Sequence, residues 1–349
     1  MRFNFENIYI TGGSGWLGKS LINTLLYGDP KVLDDFSPVE AKIFSLEFDQ
    51  INNQNNSDKI TSVKGDLRIK EDCNNFLKDS EDGILFHCAG IIHPQKVSDF
   101  YDINLNGTIN IVQSAIKNNI KKIIVVSSNS PIGCNLSNRD LFTEDSKYNP
   151  YMNYGNSKKL MEEFLKEKIA EGVDITIVRP PWFYGENMPL RQLTFYKMVK
   201  NGKFPVIGKG DNIRSKANVK NIVQGLLLSS MIERSKGQIY WIADEKPYTM
   251  NEIIFTISDV LENEFKINCK ENKIRLPYFL GQCFQLADYF FQKLGIYNQK
   301  IHVASELNKN IACSIEKAQK ELGYKPKVTL YQGITDSLKE INLEKEFNE

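Results

Sequence analysis

Hydrophobic residues in the first half of the chain fall into two alternating patterns. Short, nearly continuous apolar runs occur at Asn7–Thr11, Lys42–Phe48, Ile60–Val63, Ile84–His87, Lys122–Ser127 and Asp174–Arg179. Between them lie longer stretches with helical spacing. Lys19–Tyr27 places Leu21, Ile22, Leu25 and Leu26 on one side, and Ile103–Lys117 and Tyr151–Ala170 follow later. A strand that is apolar at successive positions has both faces covered, so the alternation predicts a parallel sheet with helices on each side. Such crossovers are right-handed, which gives a doubly wound α/β fold of the Rossmann type.

After Arg179 the alternation loosens, and PPWFYGENMP introduces three prolines. Residues 1–180 are therefore expected to form the sheet domain, with 216–243 returning to it. Residues 181–335 are expected to form mainly a smaller C-terminal substrate-binding domain, and 336–349 a charged, frayed tail. The polar, Asn-rich stretch 50–59 predicts a surface loop. Tyr278–Gly295 is the most apolar late segment, but Gln282, Gln285, Asp288 and Gln292 interrupt it. It falls short of the ~20 clean apolar residues of a membrane span. A helix with one apolar face is expected there; membrane contact is not favoured, and a membrane-surface or partner-binding role for the helix stays open.

Composition narrows the function classes. The 349 residues are 41% hydrophobic and 25% charged, ordinary for a globular protein. With 44 basic and 43 acidic residues the net charge is +1, so nothing favours a nucleic-acid partner. The six cysteines form no C-x-x-C, and only three histidines accompany them. That argues against a zinc site and for buried free thiols in a reducing, cytoplasmic setting. A strand begins within about ten residues of the N-terminus with no basic, apolar leader, so a signal peptide is not expected.

TGGSGWLG, Thr11–Gly18, lies directly after the first strand and directly before the first helix. Gly12 permits a tight turn, Gly15 lets backbone approach a pyrophosphate, and Gly18 lets the helix pack closely on the strand. The helix N-terminus then offers unpaired N–H groups to phosphates. A dinucleotide site is expected. An acidic side chain at the end of the second strand would bond the ribose of NAD. Asp34 and Asp35 are one candidate pair, Glu47 and Asp49 the other. No arginine stands where a 2′-phosphate would sit, so the pattern leans to NAD and leaves NADP open.

Further motifs then accumulate in order. VKGDL contains Asp66 and Leu67, HCAG spans His87–Gly90, and NLNGT spans Asn104–Thr108. VVSSNSPIG, YGNSK and SIEKAQKELGYKP follow. Together with TGGSGWLG they resemble the extended short-chain dehydrogenase/reductases of the NAD-dependent epimerase/dehydratase type, from the first strand to about residue 335. The resemblance implies that Gly12, Gly15, Trp16, Leu17 and Gly18 hold the cofactor, with Asp66 and Leu67 flanking its adenine. Ala89, Gly90, Asn104 and Pro181 join that set. It also implies a homodimer built through the 151–170 helix, where Phe164 and Ile169 offer a face.

Four Y-x-x-x-K pairs occur, at Tyr27/Lys31, Tyr154/Lys158, Tyr196/Lys200 and Tyr289/Lys293. Only Tyr154/Lys158 falls on the helix after the KIIVVSS strand, where the resembled family carries its base. One helical turn puts both side chains on the same face. A tyrosine with its ordinary pKa of ~10 is too weak a base near neutrality. The Lys158 ammonium and a positive nicotinamide ring would favour the phenolate. Lys158 would also hold the nicotinamide ribose, and Ser128, ahead of Ser127 and Ser130, would bond the substrate oxygen.

Asn129 and Ser130 follow Ser128 where 4,6-dehydratases of the family carry Asp-Glu, so dehydration is disfavoured. Trp182 stands where nucleotide-sugar enzymes often carry Asn, whereas Arg214 aligns with the arginine that meets a diphosphate. Three readings stay open. The first is a nucleotide-sugar epimerase or keto-reductase. The second is a dehydrogenase of a steroid-like or other apolar alcohol. The third is a non-catalytic, cofactor-binding interaction protein.

Overall fold

The computed structural model of the protein describes residues 3–48, 58–341 and 343–347. Asp49 and most of the polar stretch 50–59 lie outside them.

The strand and helix sequence begins with β1 (Asn7–Thr11), α1 (Trp16–Tyr27), β2 (Lys42–Glu47) and β3 (Ile60–Lys64). α2 (Lys70–Phe76), β4 (Ile84–His87), α3 (Gly107–Lys117) and β5 (Lys122–Val126) follow. The run closes with α4 (Met152–Ala170) and β6 (Ile175–Arg179). Every residue of β4, β5 and β6 is buried, as continuous apolar strands require. α1 starts three residues ahead of the expected Lys19, because the turn feeds straight into helix after Gly15. α3 is preceded by a wide, π-type turn over Phe100–Asn106.

Beyond β6 come β7 (Trp182–Tyr184), α5 (Leu190–Lys200), β8 (Val206–Ile207), β9 (Ile213–Arg214) and β10 (Lys216–Asn218). α6 (Val219–Met231) leads to β11 (Ile239–Trp241), which pairs parallel to β6. The result is a seven-stranded parallel sheet in the order β11-β6-β5-β4-β1-β2-β3. One apolar layer joins α1 and α6 to the sheet, and another joins α2, α3 and α4 to its other face. Phe164 and Ile169 pack partly buried against this second layer of their own chain.

The remaining elements are β12 (Tyr248–Thr249), α7 (Met250–Asn263), β13 (Arg275–Leu276), α8 (Tyr278–Lys293) and α9 (Gln299–Glu306). α10 (Glu316–Leu322), α11 (Leu330–Lys339) and α12 (Leu343–Phe347) complete the described chain. Thr249 and Glu252 form a reciprocal capping box at the start of α7.

Two expectations fail here. The charged end is not frayed: Leu338 and Phe347 are buried in the apolar cluster around α5 and α7. Asp336 pairs with Lys31 at 2.6 Å and Glu346 with Lys197 at 2.8 Å. Apolar anchors among the charges, with Ile341 and Leu343 packed beside them, dock the segment. Nor are all the thiols buried, since Cys283 on α8 is exposed. Among the described residues no helix is long and apolar enough to cross a membrane, and no His/Cys/Asp/Glu cluster suits a metal ion.

Candidate active site

The chain moves from β1 outward to β2 and β3, then returns to β4 on the other side of β1. A crevice opens at such a switch point, outside the carboxyl ends of the strands. Thr11 at the end of β1 pairs with His87 at the end of β4. The turns that follow both strands therefore meet. Gly12 has φ +75°, and a Cβ there would stand 2.9 Å from the Ala89 backbone. A Cβ on Gly18 would drive into the Gly12 carbonyl. No side chain caps α1 at Gly15, so its first N–H groups face the turn unpaired by any cap. This is a cradle that fits a pyrophosphate.

Of the acidic candidates among the described residues, Glu47 stands at the glycine turn. It ends β2, is buried, and accepts the Ser14 N–H at 3.2 Å and the Ser45 hydroxyl at 2.5 Å. Asp34 lies before β2 and pairs instead with Lys327 at 2.7 Å. Leu17 turns its side chain into the core. Trp16 donates from Nε1 to the Glu186 carbonyl at 2.5 Å and packs on Phe183, tying the glycine turn to the segment after β7.

A relay of hydrogen bonds fixes the β4 turn. The Ala89 N–H donates to the Thr11 hydroxyl at 3.3 Å, and that hydroxyl lies 2.6 Å from His87 Nδ1. His87 Nε2 lies 2.8 Å from the Thr108 hydroxyl, which donates to the Asn104 carbonyl at 2.7 Å. Because Thr108 spends its proton on Asn104, His87 carries its own on Nε2. Burial, then the nearby Lys158 charge, pushes His87 down to about 3, so it stays neutral. Asn104, expected at the cofactor, instead grips the loop: it accepts the Ile91 N–H at 2.8 Å and donates to the Ile91 carbonyl at 2.9 Å. Both ends of its amide are used in holding Gly90 in place. Asp66 is clamped by Arg68, and the Leu67 carbonyl accepts from Asn110 Nδ2 at 2.9 Å beside the start of α3. Pro181 is buried just past β6.

Tyr154 and Lys158 project from α4 toward the same crevice. A Cβ on Gly90 would lie 3.5 Å from Lys158 Nζ, which donates to the Val126 carbonyl at 3.2 Å. Burial pushes Lys158 down to about 8, with Glu162 and Cys88 opposing. Burial pushes the Tyr154 phenol up to about 12, against a lowering hydrogen bond from Ser128 and helped by the Glu306 charge. So Ser128 and Tyr154 are brought together, and Ser128 also lies 3.3 Å from Ser130 Oγ. Lys158 does not supply the expected lowering of Tyr154, and burial dominates.

Three neighbours escaped the sequence reading. Glu162, one turn beyond Lys158, and Arg179, at the end of β6, form a fully buried pair at 2.6 and 3.0 Å. Glu162 also accepts the Ser127 hydroxyl at 2.6 Å and the Tyr148 hydroxyl at 2.8 Å. The pair thereby locks α4 to the ends of β5 and β6. A glutamate on the apolar Met161–Leu165 face was the available signal. Glu306 of α9 is the third. It lies 3.7 Å from Arg214, whose Nη1 also donates to the Glu306 carbonyl at 2.8 Å. Arg214 is buried, and with Lys216 it stacks on Trp182, at 5.5 and 3.3 Å from the ring centroid.

A profile of the 3-beta hydroxysteroid dehydrogenase/isomerase family matches residues 9–272. The chain belongs to that family. It therefore sits among the extended short-chain dehydrogenase/reductases, as its motifs imply. It is 44% identical over 344 residues to the uncharacterized protein y4nL of Sinorhizobium fredii (strain NBRC 101917 / NGR234), covering 97% of this chain and 96% of that one. It is 28% identical over 340 residues to the N-acetyl-alpha-D-glucosaminyl-diphospho-ditrans,octacis-undecaprenol 4-epimerase of Escherichia coli O157:H7, covering 95% and 94%. Among solved structures it resembles UDP-glucuronic acid 4-epimerase from Bacillus cereus in complex with NAD. There the TM-score is 0.72 at 17% identity, with 98% of this chain and 99% of that one covered. At that identity the likeness shows the fold.

Proposed function

We propose that this protein catalyses NAD-dependent hydride transfer at a secondary hydroxyl or ketone of a sugar carried on a diphosphate, as a 4-epimerase or keto-reductase. The observation that carries the reading is the meeting of three groups at the switch-point crevice. Tyr154 is half-buried against Phe100, Ser128 is buried in the turn after β5 and acts on the phenol, and Lys158 stands one turn further along α4 beside Gly90. Bound in the crevice, NAD would accept the hydride and return it. Gly12, Gly15 and Gly18 with the open end of α1 suit its pyrophosphate, and Glu47 suits its adenosine ribose. The same carboxylate would repel the 2′-phosphate of NADP.

Tyr154 Oη takes the proton of the substrate hydroxyl in oxidation and returns it in reduction. Its burial makes that difficult unless positive charge gathers beside it, which is the role of Lys158. Ser128 holds the substrate oxygen. Asn129 and Ser130 offer no acid pair for removing water, so dehydration is not part of the reaction. Glu162 and Arg179 act by positioning α4.

Arg214 and Lys216 against Trp182 support an anionic substrate segment, and the E. coli relative named for a diphospho-undecaprenol sugar supports a diphosphate. The family description and the Trp182–Phe195 ring contact at 5.5 Å support a second reading, an apolar alcohol such as a sterol. Thermal unfolding with UDP- or GDP-sugars, a polyprenyl-diphosphate sugar and a hydroxysteroid separates them. The diphosphate sugars should raise the melting temperature, and Arg214→Ala should abolish the rise. A rise with the hydroxysteroid alone would defeat the sugar reading.

A further inference from the structure

α8 is built inside out. Its buried residues are Gly281, Asp288 and Gln292. At about 100° per residue, Phe279, Cys283, Leu286 and Phe290 lie on the opposite side. Phe279, Leu286 and Phe290 are 58%, 57% and 55% exposed. Leu294, just past the helix, is 75% exposed, and Tyr278 and Tyr289 flank the stripe. The polar side has a clear purpose. Asp288 holds His302 of α9 at 2.7 Å, and Gln292 donates to Asp288 at 2.9 Å. The Gln292 carbonyl accepts from the backbone and the amide of Asn153, next to Tyr154, at 3.1 and 3.0 Å. So the hairpin of α8 and α9 spends its polar groups on the catalytic helix and turns its aromatic stripe to water. A contiguous exposed apolar face of this kind marks an interaction surface.

Charge identifies the partner. From residue 274 to 305 the charged residues are Arg275, Lys293, Lys300 and Asp288, and the one carboxylate is buried. Exposed Lys96 bridges to Ile296, and exposed Lys209 follows Gly208, which borders Tyr278. An aromatic stripe whose own hairpin carries exposed cations and no exposed carboxylate, with Asp99 and Asp211 beside the outlying Lys96 and Lys209, matches an anionic lipid surface. Tyrosines at its border suit the headgroup layer.

We propose that the α8–α9 hairpin docks the protein on anionic bilayers, with Phe279, Leu286, Phe290 and Leu294 entering the headgroup–acyl boundary and Lys293, Lys300 and Arg275 meeting lipid phosphates. It takes up the membrane-surface role that the sequence left open for this helix. It goes beyond the hydride-transfer reading and does not rest on it. Its geometric consequence is that the bilayer lies against the outer face of the helix whose inner face holds Asn153.

Co-sedimentation with phosphatidylglycerol-rich vesicles, set against pure phosphatidylcholine vesicles, tests it without substrate. The protein should pellet with the anionic vesicles, less so at high salt. Phe279→Ser/Leu286→Ser/Phe290→Ser should lower partition about tenfold or more, and Lys293→Glu/Lys300→Glu should weaken it. An environment-sensitive fluorophore on the otherwise unaltered chain at Cys283 should shift to the blue with anionic vesicles, a readout that stands even if the serine variant folds poorly. Three results would overturn the proposal. The protein could stay in the supernatant, the serine variant could bind as well as the parent, or the Cys283 probe could shift with protein concentration alone, showing that a second copy covers the stripe.

Discussion

The sheet half and the α8–α9 hairpin bury opposite kinds of residue. In β4, β5 and β6 burial follows hydropathy, and the buried exceptions on and beside them, such as His87, Arg179 and Glu162 of α4, are each held by named partners. In α8 burial runs against hydropathy: Asp288 and Gln292 are inside and the phenylalanines outside. The difference teaches that two of the buried polar clusters, one from each region, converge on α4. They fix the helix that carries Tyr154 and Lys158 from the sheet side through Glu162 and from the hairpin side through Gln292.

The largest effect expected from breaking that arrangement is on stability. Glu162→Gln leaves the Arg179 guanidinium buried without its counter-ion, a loss of about 3–5 kcal/mol for such pairs. Urea unfolding should show it, and a loss under about 1 kcal/mol would mean the pair is not what locks α4.

Lys158→Met should act in the opposite direction. Its proton affinity in the fold is depressed to about 8 from an ordinary 10.5. The unfolded chain therefore binds more protons between those values, so parent stability rises with pH across that window. The methionine variant should lack this rise and should be more stable near neutral pH by on the order of 3 kcal/mol, while losing turnover. Parent and variant stabilities that stay parallel from pH 7 to about 10 would contradict this. The smallest effect belongs to the hairpin: the triple serine variant of α8 should change stability in solution little, since exposed side chains contribute within about ±0.5 kcal/mol each. A large loss would show that the stripe is covered by its own chain.

Much of the sheet half was legible in the sequence, because a doubly wound sheet writes itself as alternating apolar runs. The glycine turn was legible because few folds need Gly12 and Gly18 at that spacing, and Tyr154 because of its place after β5. What could not be read depended on partners distant in sequence. Glu47 outranks Asp34 only because β2 begins after the Asp34 segment. The grip of the Asn104 amide on Ile91, thirteen residues away, is likewise visible only in the fold. The Glu306 carboxylate and carbonyl that orient Arg214 come from α9, some ninety residues later, and no local pattern announces them. The apolar period of α8 marked a helix but not which side faced inward, since periodicity carries no information about what lies opposite.

The most direct test is Tyr154→Phe, measured for turnover and for NAD affinity in the same preparation. Ring packing against Phe100 at 5.6 Å survives the change, so the fold and the crevice should persist. Turnover should fall by a factor of about 100 or more, with NAD binding nearly unchanged. Near-parental turnover with NAD bound would contradict the assignment of Tyr154 as the proton-transfer group.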